Sequence, residues 1–385
     1  MAPVVKAGDH TAFSEWAVQE LATNNRGNTA FMLIKNGEII AEYYGQTKHQ
    51  VDKDTLFPMA SFSKWMAAFG VMSLVEQGRI ELDVPAQNYL RRWSLPDSEF
   101  DNNGVTVRRL LSHTAGLTDR LGFGDYTADE VIPLLEDELN NPRASRGRSV
   151  KIAVGQSPGA EFIYSGGGYL ILELLVEEVS GQQFADYMQD NILTPLGMTR
   201  STYGFIGNLD NASQSFELDG SLAPTYQYAS AAATSFASSA SDLSKLINAL
   251  ATNKDQPVAP EKRLAMRQAE AFIMGEGIWG LGTMLYAKTP TGNFVYGHDG
   301  GNEPAINTTV RVNPDNNDAM ILLVNGHPSL ASSISGEWVL WQTGYPDFLS
   351  LEKILRSAVL PVVLGSVFII LFFIFWFRRQ QKVMR

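Results

Sequence analysis

The sequence predicts an α+β fold, an α/β sandwich whose antiparallel sheet is formed by N- and C-terminal segments and flanked by helices, with a mainly helical region inserted at about 65–250. Three observations predict it. "TAFMLIKNGEIIAEYYG" (29–45) is two apolar runs around Asn36-Gly37, a dipeptide that readily takes the left-handed backbone of a two-residue hairpin turn. "NTTVRVNPDNNDAMILLVNG" (307–326) has the same form, with its turn at Pro314 to Asp318. Between the hairpins, "SKWMAAFGVMSLVEQG", "TVRRLLSHTAGL", "GGYLILELLVEEVSGQQFADYMQDNIL" and "SASDLSKLINALA" place apolar residues three and four apart, the helical period. Strands at both ends and helices between them require distant segments to meet in one sheet, and "ASSISGEWVLWQTGY" (331–345) reads as a last helix lying on it.

With 385 residues and 45% hydrophobic content the chain can bury a large core. It has no cysteine, which excludes disulfides, thiolate catalysis, zinc–thiolate sites and iron–sulfur clusters. The five histidines (10, 49, 113, 298 and 327) contain no close ligand pair, so neither metal nor cofactor is expected. The net charge is −11 although residues 351–385 carry six basic side chains against Glu352, so the body is strongly acidic and nucleic acid is not an expected partner.

That basic C-terminus flanks "AVLPVVLGSVFIILFFIFWF" (358–377), an uncharged stretch long enough as a helix to span the roughly 30 Å hydrocarbon core of a bilayer. It reads as one transmembrane helix, with 346–357 as a juxtamembrane segment and 378–385 as a tail. "RRQQKVMR" carries four positive charges and places the tail in the cytoplasm, hence the body, 1–345, on the periplasmic or extracellular side. "MAPVVKAGDH" has no apolar signal core, so this orientation expects a signal segment already removed.

Several motifs compete to carry chemistry. "GEGIWG" (275–280) matches G-x-G-x-x-G without a surrounding βαβ unit and is set aside as a dinucleotide site. "GQSPG" (155–159) matches the nucleophile elbow, but Pro158 lacks the N–H that the residue after the serine must donate to an oxyanion, so Ser157 reads as a turn residue. S-x-x-K occurs twice. Ser350-Lys353 abuts the apolar segment, whereas Ser61-Lys64 in "PMASFSKWMAAFG" starts a helix, where one turn brings Lys64 beside Ser61. The plain alternative makes Ser61 an N-cap and Lys64 a solvated charge. A lysine in a first turn is electrostatically unfavourable and its neighbours here are apolar, which favours the chemical reading.

"FPMASFSKW", "VTVRRLLSHTAGL", "FIYSGGGYLILELLVEEVSG", "LTPLGMTRSTYG" and "YGHDGGNEPA" follow one another as in the serine β-lactamase-like hydrolases, and residues 12–345 resemble that group of class C β-lactamases, D-Ala-D-Ala carboxypeptidases, D-aminopeptidases and esterases. The resemblance implies that Ser61 is the acylated nucleophile, that Lys64 eases its deprotonation, and that Tyr164 shares the base role and protonates the leaving group. It implies an oxyanion hole from the N–H groups of Ser61 and Gly301, and a substrate-binding strand at His298, Asp299 and Gly300. His113 fits a family stretch outside the reacting trio and reads as structural.

Two positions depart from the family pattern. Gly166 stands where Y-x-N has its substrate-holding Asn, and His298 stands where K-T-G has its lysine, an imidazole in place of a fixed cation. Both favour an ester or a cell-envelope peptide over a β-lactam. The expected activity is therefore that of a membrane-anchored serine hydrolase. A non-catalytic or slowly acylating sensor on the same fold and a β-lactamase are the alternatives.

Overall fold

The computed structural model describes residues 2–45, 47, 50–124, 126–252, 257–303 and 305–349, with isolated positions at 366, 369, 370 and 373. Eight strands form the main sheet in the order Glu38–Gly45, Thr29–Lys35, Asp318–Asn325, Ile306–Asn313, Phe294–Asn302, Met284–Lys288, Glu276–Trp279 and Ala271–Ile273, each antiparallel to its neighbours. The first hairpin turns at Asn36 (φ 48°) and Gly37 (φ 82°), as its Asn-Gly requires. Strand Thr29–Lys35 then pairs with Asp318–Asn325, second and third from one edge, so segments from the two ends of the body meet in one sheet as expected.

Both faces of the sheet are covered. On one side Ala30, Met32, Ile321 and Leu323 pack with helices Ser63–Glu76, Gly166–Ser180 and Ala240–Ala251. On the other, Phe31, Leu33, Leu322 and Val324 meet Phe13, Ala17 and Leu21 of helix His10–Asn24 and Ile334 and Trp338 of helix Leu330–Thr343. Burial on both faces is why "AMILLV" is a continuous apolar run with no alternation.

The reading of the chain between the two hairpins as mostly helix and loop needs one correction. Residues 271–288 contribute three strands of three to five residues, too short to display a period of two. "GEGIWG" spans the turn and second strand of the first of these hairpins, with Gly275 at φ 85°, which leaves no βαβ context for a dinucleotide. The packed body also runs past 345, because Asp347 is 3% exposed and lies 3.7 Å from Arg311. The expected transmembrane segment 358–377 and the tail 378–385 lie outside the described residues apart from the four isolated positions. Among the described residues no helix is long and apolar enough to cross a membrane.

Candidate active site

Ser61 lies in a single tight turn, Ala60–Phe62, that runs directly into helix Ser63–Glu76. It caps nothing: Phe62 holds the cap position of that helix, with no side-chain cap bond. Ala60 before it has φ 46°, a left-handed conformation that costs an L-residue about 1–2 kcal/mol and persists only where neighbours enforce it. They do so here. The Met59 N–H donates to the Phe236 carbonyl (2.9 Å), and the Ser63 hydroxyl donates to the Ala60 carbonyl (2.6 Å) while accepting from the Phe236 N–H (2.9 Å). From the sheet, the Thr308 hydroxyl donates to the Met59 carbonyl at 3.2 Å.

Lys64 is not a solvated charge. It is 1% exposed, and its ammonium donates to the Ala233 carbonyl at 3.0 Å and lies 3.4 Å from Ser61 Oγ, within reach of a long hydrogen bond. Among the described residues no carboxylate pairs with it. The faces of Tyr164, Tyr169 and Phe123 surround it instead, with centroids 5.1, 5.6 and 6.0 Å from Nζ, so ring quadrupoles and one carbonyl supply the negative potential.

Tyr164 is held by its neighbours in sequence. The Ile163 N–H donates to the His113 carbonyl (2.8 Å) and the Ser165 N–H donates to His113 Nδ1 (3.1 Å), while the His113 and Tyr164 rings lie 4.4 Å apart. The proton of His113 is therefore on Nε2. Burial first, and then the Lys64 charge, hold this imidazole well below the usual histidine range, so it is neutral. His113, read from sequence as structural, thus fixes the backbone on both sides of Tyr164.

The structure brings Ser61, Lys64 and Tyr164 together and corrects the expected substrate strand. A strand alternates faces, so His298 and Gly300 look toward Ser61's turn while Asp299 looks away. The Asp299 carboxylate pairs with Arg311 and accepts from the Tyr286 hydroxyl (3.2 Å), on the sheet face opposite Ser61. His298 points toward the site but is 1% exposed, packed edge-on against Trp279 and Phe62, with Nδ1 2.6 Å from the Asp299 carbonyl. Burial pulls its pKa down to about 3, so it offers no cation to a substrate carboxylate at neutral pH. Gly300 has a packing role, since a Cβ there would stand 1.9 Å from the Met59 carbonyl. Gly166 is likewise buried beneath the 121–123 loop, with no side chain to offer a substrate.

Gly301 differs from these. The Asp299 N–H reaches Met284 Sδ (3.3 Å), which places it on the edge facing strand Met284–Lys288. Two residues on, the Gly301 N–H points to the same edge, past the last pairing at Gly297 and Met284, where no strand covers it. Gly301 also borders a cavity of about 830 Å³ whose walls include Phe123, Leu218, Tyr226, Ile306 and Arg148.

Two groups that support the site were not evident from sequence. Trp279 packs against His113, Tyr164 and His298 and donates to the Leu111 carbonyl at 3.2 Å. Glu173, buried on helix Gly166–Ser180, accepts from the Ala232 N–H (2.9 Å) and the Ser230 hydroxyl (3.2 Å), and so anchors the short helix Ala231–Thr234 that presents the Ala233 carbonyl to Lys64. Burial pushes the Glu173 carboxyl up to about 8. Between its ordinary value and 8 the folded chain keeps this proton and the unfolded chain releases it, so the unfolded state binds fewer protons and stability falls as pH rises through that window. Glu173→Gln is expected to flatten the decline in Tm between pH 5 and pH 8 and to be the more stable form at pH 8, by an amount on the order of a few kcal/mol. Thermal unfolding across that range tests it, and parallel curves for the two proteins would refute it.

A family profile described as Beta-lactamase matches residues 13–344. Penicillin-binding protein 4* of Bacillus subtilis (strain 168) is 28% identical over 188 residues, covering 48% of this chain and only 39% of that protein, so this chain spans less than half of its length. Penicillin-binding protein 4 of Amycolatopsis lactamdurans is 27% identical over 303 residues, 72% of this chain and 74% of that protein. Among solved structures, EstCE1, described as a hydrolase with promiscuous acyltransferase activity, is similar with a TM-score of 0.67 over 86% of this chain and 97% of its own, at 18% identity, a likeness of fold.

Proposed function

This chain belongs to the Beta-lactamase family of serine hydrolases, and on that premise we propose that it cleaves an ester or a cell-envelope peptide through an acyl-enzyme on Ser61. The observation that carries the proposal is the placement of a buried Lys64 ammonium, without a carboxylate partner among the described residues, 3.4 Å from Ser61 Oγ, with the Tyr164 ring 5.1 Å from the same nitrogen. In this reading Tyr164, as a phenolate stabilised by the Lys64 cation, takes the Ser61 proton as Oγ attacks the carbonyl carbon. The N–H groups of Ser61 and Gly301 hold the developing oxyanion, and Tyr164 returns the proton to the leaving group. Water then attacks the acyl carbon and the same groups serve in reverse.

The neutral, buried His298 and the absent side chain at Gly166 support an ester or peptide substrate over a β-lactam, since neither position offers a charge or an amide to hold one. Gly166 also favours a second reading, a sensor that acylates once and does not turn over. Intact-protein mass spectrometry of the full chain in detergent, after p-nitrophenyl ester or penicillin, separates them. Ester turnover with little penicillin adduct is the expected result. A lasting penicillin adduct without turnover would establish the sensor, and penicillin hydrolysis would establish a β-lactamase.

A further inference from the structure

We propose that Phe123 is a specificity-determining residue of this site: it fills the space that a longer side chain at 166 would otherwise enter and gives the acyl chain of an ester an apolar wall, so that longer apolar acyl chains are preferred to acetyl. This rests on the acyl-enzyme reading and adds the substrate class to it. The argument begins at Gly166, which opens helix Gly166–Ser180 two residues after Tyr164. A Cβ there would lie 2.5 Å from the Leu121 carbonyl oxygen and 2.9 and 3.1 Å from two ring carbons of Phe123. The place of a longer side chain at 166 is therefore already filled, and the glycine and the phenylalanine require each other.

The loop that fills it is anchored. Asp119, 6% exposed, accepts from the Leu121 N–H (2.8 Å), the Ser165 hydroxyl (2.5 Å) and the Gly167 N–H (3.1 Å), which ties the 119–121 backbone to the residues that follow Tyr164. On the other side of Phe123 the Gly124 N–H donates to the Arg143 carbonyl at 2.7 Å. The ring is thus held between two fixed points, 6.0 Å from Lys64 Nζ, and borders the cavity that also reaches Gly301. That cavity continues from Phe123 along Leu218, Tyr226 and Ile306, and polar groups that include Arg146, Asn302 and Glu303 form its other wall. An acyl chain whose carbonyl oxygen occupies the Ser61 and Gly301 N–H groups would enter the cavity at Gly301 and gain apolar contact at Phe123.

The test is kinetic, on the full chain with p-nitrophenyl acetate, butyrate and octanoate. For the wild type, kcat/KM is expected to rise from acetate to octanoate. Phe123→Ala is expected to lower the octanoate-to-acetate ratio by about tenfold or more, and Phe123→Leu, which retains bulk, by less. Labelling of Ser61 by a small fluorophosphonate is measured in parallel and reports that the variants are folded and carry a working nucleophile. Labelled variants whose chain-length profile matches the wild type would overturn this inference alone. A wild type that is never labelled would overturn the acyl-enzyme reading and this inference with it.

Discussion

Ser61→Ala is expected to abolish covalent capture of a fluorophosphonate and to lower ester turnover by about 10⁴-fold or more, with Tm close to that of the wild type. The size follows from the role: without Oγ there is no bond to form, and what remains is substrate binding and the oxyanion donors. Tm should hold because Ser61 Oγ takes no part in the bonds that shape its turn, which run through the Ser63 hydroxyl, the Thr308 hydroxyl and the backbone of Met59 and Phe236. Lys64→Met should reach a comparable loss of turnover, and the double variant should be scarcely worse than either single, because the two residues act as one unit. Undiminished labelling in Ser61→Ala would place the nucleophile elsewhere and remove the basis of the proposed function.

Arg311→Met is expected to destabilise the fold by about 3–5 kcal/mol, the cost typical of removing one partner of a buried ion pair. Arg311 is fully buried, stacked 3.5 Å over the centroid of Tyr286, paired with Asp299 and 3.7 Å from Asp347. Burial disfavours its charge, yet the two aspartates and Tyr286 more than offset this and hold its pKa above the ordinary arginine value. Methionine would leave both carboxylates without their countercharge, on the sheet face that carries helix Leu330–Thr343. The same logic moves Asp299 from the substrate to the scaffold, so the loss in Asp299→Asn should fall on stability, with KM near the wild-type value. Chemical denaturation and steady-state kinetics on the same samples separate the two roles. A raised KM with unchanged stability would return Asp299 to the substrate side.

The two hairpins and the long helices were legible because their signals are local. Asn36-Gly37 sets its own turn, and apolar spacing of three and four repeats for enough turns to be read. The strands at 271–288 were not legible, since a run of three to five residues has too few alternations to reveal a face. For the site, one helical turn between residues 61 and 64 was enough to bring Ser61 and Lys64 together, and several ordered stretches tied Tyr164 to them. The direction of the side chains on 298–300 was open to period-two reasoning, but which face met Ser61 depended on where the sheet lay.

By itself the sequence determined that a serine and a lysine share one helical turn, that two chain ends must form one sheet, and that residue 166 carries no amide and residue 298 no permanent charge. Each is a property of residue type or of neighbours a few bonds apart. Only the tertiary structure decided that His298 is buried and neutral, that Asp299 belongs to Arg311, that Glu173 sustains the carbonyl beside Lys64, and that Phe123 fills the space over Gly166. Those outcomes depend on burial and on contacts between residues far apart in the chain, and solvation, charge pairing and steric exclusion act through space once the chain has folded.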